Sequence, residues 1–385
     1  MTKKRRISSL DQDSTTIIHL PKDILFDIFL RLPVKSIITL SAACKLFSTL
    51  TSDPAFVDSH GRRATPLLLF QAIPRNPKYI TSNASCQLIS FVDGIRVERR
   101  ASICTPDLFN IVLCCDSLLC FREVFSKTYH VYNALSREVI WSSTHYFGDL
   151  RGFYFHPIAR EYRLLWATGE GEELFGFHIL SLRSNTWRRI ANSAYRPPSG
   201  SCHLSLHGRL HWLDSSYDRV VVFDIKSENF SAVPLPFPSS SSLDGGELLV
   251  KTKEGCVGVC RIDEVGMQME SWVLQDEEVW VRKYRISLTS NIPGIPKPKV
   301  TEKLKPLCGH GDGELILGVC DANEWAYSAL ILSNVELDSF RTIEMDQDSP
   351  LKRRNVITFM PFVESLDSCM SFKKNVNRCS SFCFS

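Results

Sequence analysis

Five times between Val131 and Phe340 the chain runs a β-branched or aromatic stretch into a polar turn and out to one large aromatic residue. Val131-Tyr132-Asn133 passes the Ser136-Arg137 turn to Trp141, Ile179-Leu180-Ser181 passes Ser184-Asn185 to Trp187, and Val222-Phe223-Asp224 passes Ser227-Glu228 to Phe230. Two looser copies follow, Val273-Leu274-Gln275 through Asp276-Glu277 to Trp280, and Leu332-Ser333 through Asn334 and Asp338 to Phe340. The aromatics stand 46, 43, 50 and 60 residues apart, close to the step of about 40 to 50 residues at which propeller blades repeat. A hairpin cannot bury its face alone, and radial stacking of such units leaves few long edges open. From Thr65 to Val363 the chain alternates short apolar runs with Ser, Asn, Asp, Gly and Pro, and little of it reads as long helix. The expectation for residues 65–363 is therefore an all-β, propeller-like domain of five to seven blades, with a β-sandwich of accidental spacing as the alternative.

Ahead of it, His19 to His60 follows a different period. Pro21 opens a helical pattern, Asp23 lies in its first turn where the helix dipole favours an acid, and Ile24, Leu25, Ile28, Phe29 and Leu32 form a broad apolar stripe. Pro33 stops it. A second amphipathic pattern carries Val34, Ile37, Ile38 and Leu40 on through Ala43 and Cys44 to Phe47 and Leu50. Asp53-Pro54 is a helix start, an oxygen-bearing cap followed by proline in the first turn. Three or more helices in about 40 residues approach the size below which a domain seldom stands unaided. Either a partner covers these apolar residues, or they form a lid on the rest of the chain.

The run Leu20-Pro21-Lys22-Asp23-Ile24-Leu25, then Leu32-Pro33-Val34-Lys35-Ser36, Ala43-Cys44-Lys45-Leu46-Phe47 and Asp53-Pro54-Ala55-Phe56-Val57 resembles an F-box of the large plant F-box family. The resemblance implies docking on a Skp-type adaptor and, through it, a cullin, with Leu20, Pro21, Ile28, Leu32, Pro33, Val34, Cys44 and Phe47 at the adaptor-binding positions. Many members carry Trp where this chain has Phe47, and Arg-Cys-Val where it has Ser41-Ala42-Ala43, so the dock has less apolar area here. In the second half, Cys114-Cys115-Asp116-Ser117-Leu118-Leu119-Cys120, Gly152-Phe153-Tyr154-Phe155-His156-Pro157, Ser181 to Arg188, and Leu206-His207-Gly208-Arg209-Leu210-His211-Trp212 resemble successive landmarks of the F-box-associated domain. That domain is kelch-like rather than kelch, since Gly245-Gly246 is the one adjacent glycine pair. The fold class expected is thus a small α-helical F-box, residues 17–61, followed by an all-β, propeller-like (kelch-like) domain, residues 65–363.

Composition suits this reading. The 385 residues are 44% hydrophobic, no stretch approaches the 18 or so apolar residues of a membrane span, and the N-terminus lacks the apolar run of a signal peptide. Cytoplasm and/or nucleus is the expected location, and the 14 cysteines read as thiols, several of them small core residues. A net charge of +3 gives no case for nucleic acid as a partner, and no membrane partner is implied. Residues 1–16 read as a disordered basic start, whose Lys3-Lys4-Arg5-Arg6 is either an import signal or a solvated tail, and 364–385 as a mobile tail. A prenylation box would need Cys at 382, which is Phe.

Catalytic and metal chemistry find little support. His203, His207 and His211 recur at four-residue steps, but His207-Gly208 sits where a hairpin turn belongs, placing His203 and His211 on separate strands. Cys308-Gly309-His310, near Gly311 and Gly313, reads as a flexible loop without a second ligand pair. No nucleophile elbow, Walker loop or dinucleotide fingerprint occurs, and no cofactor, metal or catalytic residue is expected. The expectation is a non-catalytic, substrate-recognition subunit of an SCF-type (cullin-RING) ubiquitin ligase that holds an unidentified target protein. An F-box-containing binding protein whose output is not ubiquitination is the alternative, and a propeller enzyme a more remote one.

Overall fold

A computed structural model describes residues 20–64, 67–74, 84–92, 96–105, 109–123, 126, 128–143, 148–169, 175–190, 193–195, 203–214, 218–237, 247–252, 254–262, 268–276, 278–288, 302–310, 314–321, 327–334, 339–343, 354–371 and 383–384. The basic start, the serine run after Pro238 and the Asn291–Lys299 connection lie outside the described residues. Two compact units result, one of residues 1–64 with 365–367, the other of residues 65–364 with 368–385.

In the first unit, α1 (Lys22–Leu30), α2 (Val34–Ser41), α3 (Lys45–Thr51) and α4 (Pro54–Arg63) follow one another. The apolar pattern running from Val34 to Leu50 is two helices rather than one, because Cys44 is extended at φ −156° and ψ 164°.

Among the described residues the second unit holds six antiparallel sheets. Blade 1 combines β1 (Leu67–Pro74), β2 (Ala84–Val92) and β3 (Arg96–Thr105) with β24 (Arg354–Phe362) on one side and the short β25 (Cys383–Phe384) on the other. Blade 2 holds β4 (Phe109–Cys115), β5 (Leu118–Glu123), β6 (Tyr129–Asn133) and β7 (Glu138–Ser142). Blade 3 holds β8 (Asp149–His156), β9 (Glu161–Gly169), β10 (Phe175–Ser181) and β11 (Thr186–Arg189). Blade 4 is β12 (Leu204–Leu206), β13 (Arg209–Leu213), β14 (Arg219–Asp224) and β15 (Phe230–Pro234). Blade 5 is β16 (Glu247–Lys251), β17 (Val257–Ile262), β18 (Gln268–Gln275) and β19 (Val279–Ser287), and blade 6 is β20 (Glu302–His310), β21 (Glu314–Asp321), β22 (Tyr327–Asn334) and β23 (Ser339–Thr342).

The five aromatics that mark the sequence repeat all fall on the last strand of their blades: Trp141 on β7, Trp187 on β11, Phe230 on β15, Trp280 on β19 and Phe340 on β23. Three of the hairpins, those delivering Trp141, Trp187 and Phe230, share one device. Asn133 Oδ1 accepts from the Leu135 and Ser136 amides at 2.9 and 3.2 Å, Ser181 Oγ from the Ser184 amide at 3.3 Å, and Asp224 Oδ1 from the Lys226 and Ser227 amides at 3.0 and 2.8 Å. The fourth residue after each, Arg137, Asn185 and Glu228, then takes a left-handed φ of 60°, 54° and 57°. Trp141 Nε1 reaches the next blade, donating to Asn185 Oδ1 at 2.9 Å.

The first strands form the ring: β4 touches β8, β12 touches β16, β16 touches β20, and β24 touches both β20 and β4. Between blades 3 and 4 the Trp212 indole donates to the Arg151 carbonyl at 2.8 Å. The core is accordingly divided into slices between neighbouring blades. One slice joins Leu69, Met360 and Phe362 to Ile111, Leu119, Phe121 and Tyr132, and another joins Tyr154, Leu165 and Phe177 to Leu210, Trp212 and Phe223. Closure comes from β24, paired with β1 from Leu67↔Phe362 to Pro74↔Arg354 around a bulge at Gln71/Ala72. The fully buried Gln71 accepts from the Ile111 amide at 2.8 Å, tying blade 1 to blade 2 at that bulge.

Two expectations are corrected. Cys308-Gly309-His310 ends strand β20 rather than forming a loop, Gly309 lying opposite Leu315. The expected mobile tail contains α5 (Leu366–Ser371) and β25, which pairs with β3, while residues 372–382 lie outside the described residues. Asn133 Nδ2 donates to the Ser368 carbonyl at 3.2 Å, giving that part of the chain a fixed anchor.

Candidate functional site

The helical unit carries the candidate site. Pro21 is the residue before the first turn of α1, Asp23 lies in that turn, and the Ile24 and Leu25 amides both donate to the Pro21 carbonyl at 3.1 Å. An exposed Arg31–Asp27 pair at 2.8 Å adds little stability at its i, i+4 spacing. Pro33 precedes α2 as its cap and cannot extend α1, so the chain turns at Leu32-Pro33. At α4 the Asp53 carboxylate accepts from the Ala55 amide at 2.8 Å, with Pro54 in the first turn, as the sequence predicts. His60 near the other end of that helix is buried, its Nε2 hydrogen-bonded to the Leu32 carbonyl at 2.9 Å. The Leu32-Pro33 corner is thereby clamped to α4.

Aromatic contacts make the centre of the unit. Phe29 meets Phe47 edge-on at 4.9 Å, and Phe26 meets Phe56 edge-on at 5.1 Å; Leu25, Ile37 and Val57 are buried too. Of the eight residues singled out from the sequence, Val34 and Phe47 are 2% and 5% exposed, so they belong to this core. Leu20, Pro21 and Pro33 are exposed, and Ile28, Leu32 and Cys44 are half-buried. Ile24, in the apolar stripe but not among the adaptor-binding positions the resemblance implies, is 49% exposed, and Leu20 is 39% exposed. The signal was its spacing: Ile24 and Ile28 stand four residues apart on one edge of α1, and Leu20 precedes the helix just before its Pro21 cap. Two large aliphatic side chains left partly in water, one in the first turn of α1 and one just before its cap, are suited to being covered.

The other candidates are placed as follows. His207 and Gly208 form the tip between β12 and β13 with φ of 51° and 73°, and His203 and His211 lie on either side of it, as the turn chemistry predicts. His211 Nδ1 is paired with the Leu204 carbonyl at 3.2 Å, while His203 Nδ1 is buried without a hydrogen-bond partner. Burial pushes both imidazoles down to about 4, so both are neutral near pH 7. Among the described residues no group of three His, Cys, Asp or Glu side chains is arranged to hold a metal ion. Cys120 and Cys260 are fully buried thiols, and burial pushes Cys260 up to about 12.

Compared with known protein families, residues 78–365 match the model described as the F-box associated beta propeller domain, and residues 17–58 match the F-box-like model. The chain belongs to the F-box-associated β-propeller family. The F-box protein At3g07870 of Arabidopsis thaliana is similar to this chain, at 25% identity over 74% of this chain and 77% of its own length. The F-box protein DOR of the same plant is 24% identical over 90% of this chain and 93% of its own. Among solved structures, a chain in the crystal structure of a nidogen/laminin complex is similar at a TM-score of 0.45 and 12% identity, covering 78% of this chain and 99% of that one. The F-box-like match covers α1 to α3 and the start of α4, and the F-box-associated match covers β2 to β24.

Proposed function

We propose that this F-box-associated β-propeller protein is the substrate-recognition subunit of an SCF-type (cullin-RING) ubiquitin ligase. Its helices dock on a Skp-type adaptor, which links it to a cullin, and its propeller holds a target protein. The observation that carries this reading is the exposed Leu20-Pro21-Ile24 edge on helices that match the F-box-like model. The order of the two matched regions along one chain supports it as well. In this role the chain supplies proximity and no acid, base or nucleophile: holding a target lysine near a ubiquitin thioester raises its effective concentration. Its place of work is the cytoplasm and/or nucleus.

Co-expression of the full chain with a Skp-type adaptor tests the reading. The wild type is expected to purify as a stoichiometric complex, and Leu20→Ala/Pro21→Ala to lose the adaptor while keeping the circular dichroism spectrum and melting profile of the free chain. Equal capture of both chains, or failure of a folded wild type to bind any adaptor, would overturn it.

A further inference from the structure

One end of blades 2, 3 and 4 is laced together by side chains. The β8–β9 and β10–β11 turns of blade 3 lie at the same end, because the strands between them are antiparallel. Glu161, just past the first turn, accepts from Ser181 Oγ, just before the second, at 2.7 Å. Glu161 also pairs with Arg163 at 2.7 Å, and Arg163 reaches Glu228, in the β14–β15 turn of blade 4, at 3.1 Å. Arg188 of β11 pairs with that same carboxylate. Toward blade 2, the Tyr162 hydroxyl donates to Asp116, in the β4–β5 turn, at 2.7 Å. The side chains of Glu161, Arg163 and Glu228 are only 13%, 13% and 18% exposed, so the lacing is set into the surface.

What it leaves outside is apolar and basic. Ile158, at the β8–β9 turn, is 74% exposed. The turn beneath it is fixed: the Ala159 amide donates to His156 Nδ1 at 3.1 Å, and Arg160, at a φ of 48°, lies 5.7 Å over the Phe155 ring. Arg137, Arg183 and Lys226 are exposed at the β6–β7, β10–β11 and β14–β15 turns of the same end, while Asp116, Glu161 and Glu228 are engaged in the lacing. On blade 5 the sign reverses, with Glu254, Asp276 and Glu278 exposed at its turns.

We propose that this end of blades 2 to 4 is a docking surface for an acidic segment of the target protein, which sets an apolar side chain against Ile158 and carboxylates toward Arg137, Arg183 and Lys226. The inference rests on the reading of the propeller as the holder of a target. A rigid turn presents Ile158 without an ordering cost on binding. Cations on three adjacent blades steer an acidic segment in, and the acidic turns of blade 5 confine it to them. A second copy of this chain would bring like charges together, so the surface selects a different partner.

The immobilised full chain is to be panned against a phage-displayed library of random dodecapeptides, and the enriched peptides measured by fluorescence anisotropy. Peptides rich in Asp and Glu around an apolar residue are expected. Ile158→Asp and, separately, Arg183→Glu should weaken them about tenfold or more. Lys283→Glu, the same change of charge at an exposed position of blade 5, should leave their affinity as it was. Where Ile158→Asp alters the melting profile, Ile158→Ala takes its place. No enrichment, enrichment of peptides without acids, or equal binding by the Ile158 and Arg183 variants would overturn the proposal. Each variant is also to be co-expressed with a Skp-type adaptor, and since none lies in the helical unit, capture should match the wild type. A chain that captures the adaptor but no acidic peptide sinks this proposal alone. One that binds the peptides but no adaptor sinks the ligase reading alone.

Discussion

The Trp212 indole nitrogen donates to the main-chain carbonyl of Arg151 at 2.8 Å, so the second strand of blade 4 is fastened to the first strand of blade 3. Both groups are buried, and the bond lies in an apolar slice with Leu165 and Leu210 around it. Trp212→Phe keeps a ring in the slice but removes this buried hydrogen bond. The expected loss is about 1 to 3 kcal/mol, read as a lower midpoint of urea unfolding, and Trp212→Ala should lose more, about 3 to 5 kcal/mol. A midpoint unchanged in Trp212→Phe would show that the bond is dispensable.

Gly152 makes that approach of the blades possible. A Cβ there would stand 3.0 Å from Leu210 Cδ1 and 3.3 Å from Leu165 Cβ, with the Trp212 ring at 3.5 Å. Gly152→Ala should therefore destabilise the propeller by about 1 to 3 kcal/mol through overpacking. Thermal unfolding checks this, and pairing it with Leu210→Val, which removes the closest methyl, should recover part of the loss.

Stability should fall as pH drops from about 6.5 toward 4. His203 and His211 are held down to about 4 by burial, helped at His211 by repulsion from Arg209 and His207. In that window the unfolded chain binds more protons than the native one, so stability is complete above the ordinary histidine value and is lost on acidification toward the native one. Carboxylates held low by hydrogen bonds, such as Asp224 and Glu123, lose their contribution only at more acidic pH. His211→Gln should flatten the melting temperature between pH 6.5 and 4 relative to wild type. An unaltered profile would locate the effect elsewhere.

Ile24 offers a sharper probe of the proposed adaptor dock than the buried positions. Being half exposed, Ile24→Ala should leave the melting temperature within about 1 °C while weakening adaptor binding about tenfold, or about 1.4 kcal/mol. Phe47→Ala should instead unfold the helices at a cost of about 3 to 5 kcal/mol, because its ring packs on Phe29. Isothermal titration and circular dichroism together separate the two effects.

What the sequence made legible follows from the range of the physics. The hairpin turns are local: Asn133, Ser181 and Asp224 specify their own left-handed fourth residue, so the aromatics beyond them could be aligned before any strand was seen. The Asp53-Pro54 cap and the His207-Gly208 tip were readable for the same reason. Pairing of β1 with β24 was not, since no local signal announces a partner at the far end of the chain. Ala43-Cys44 hid a helix break behind an unbroken apolar period, and the glycines near Cys308 disguised a strand. Val34 and Phe47, which the resemblance puts at adaptor-binding positions, are buried within the helical unit, and an apolar pattern does not say whether the chain itself or a partner covers a face.

The seam between β1 and β24 sets a timetable for synthesis. Leu67 leaves the ribosome long before Phe362, by about 15 to 60 s at ordinary elongation rates. Until then the first sheet has an open edge, and the slice around Leu69 lacks Met360 and Phe362. A nascent chain in that interval is a natural client for chaperones, and a premature stop before Arg354 would leave it one for life.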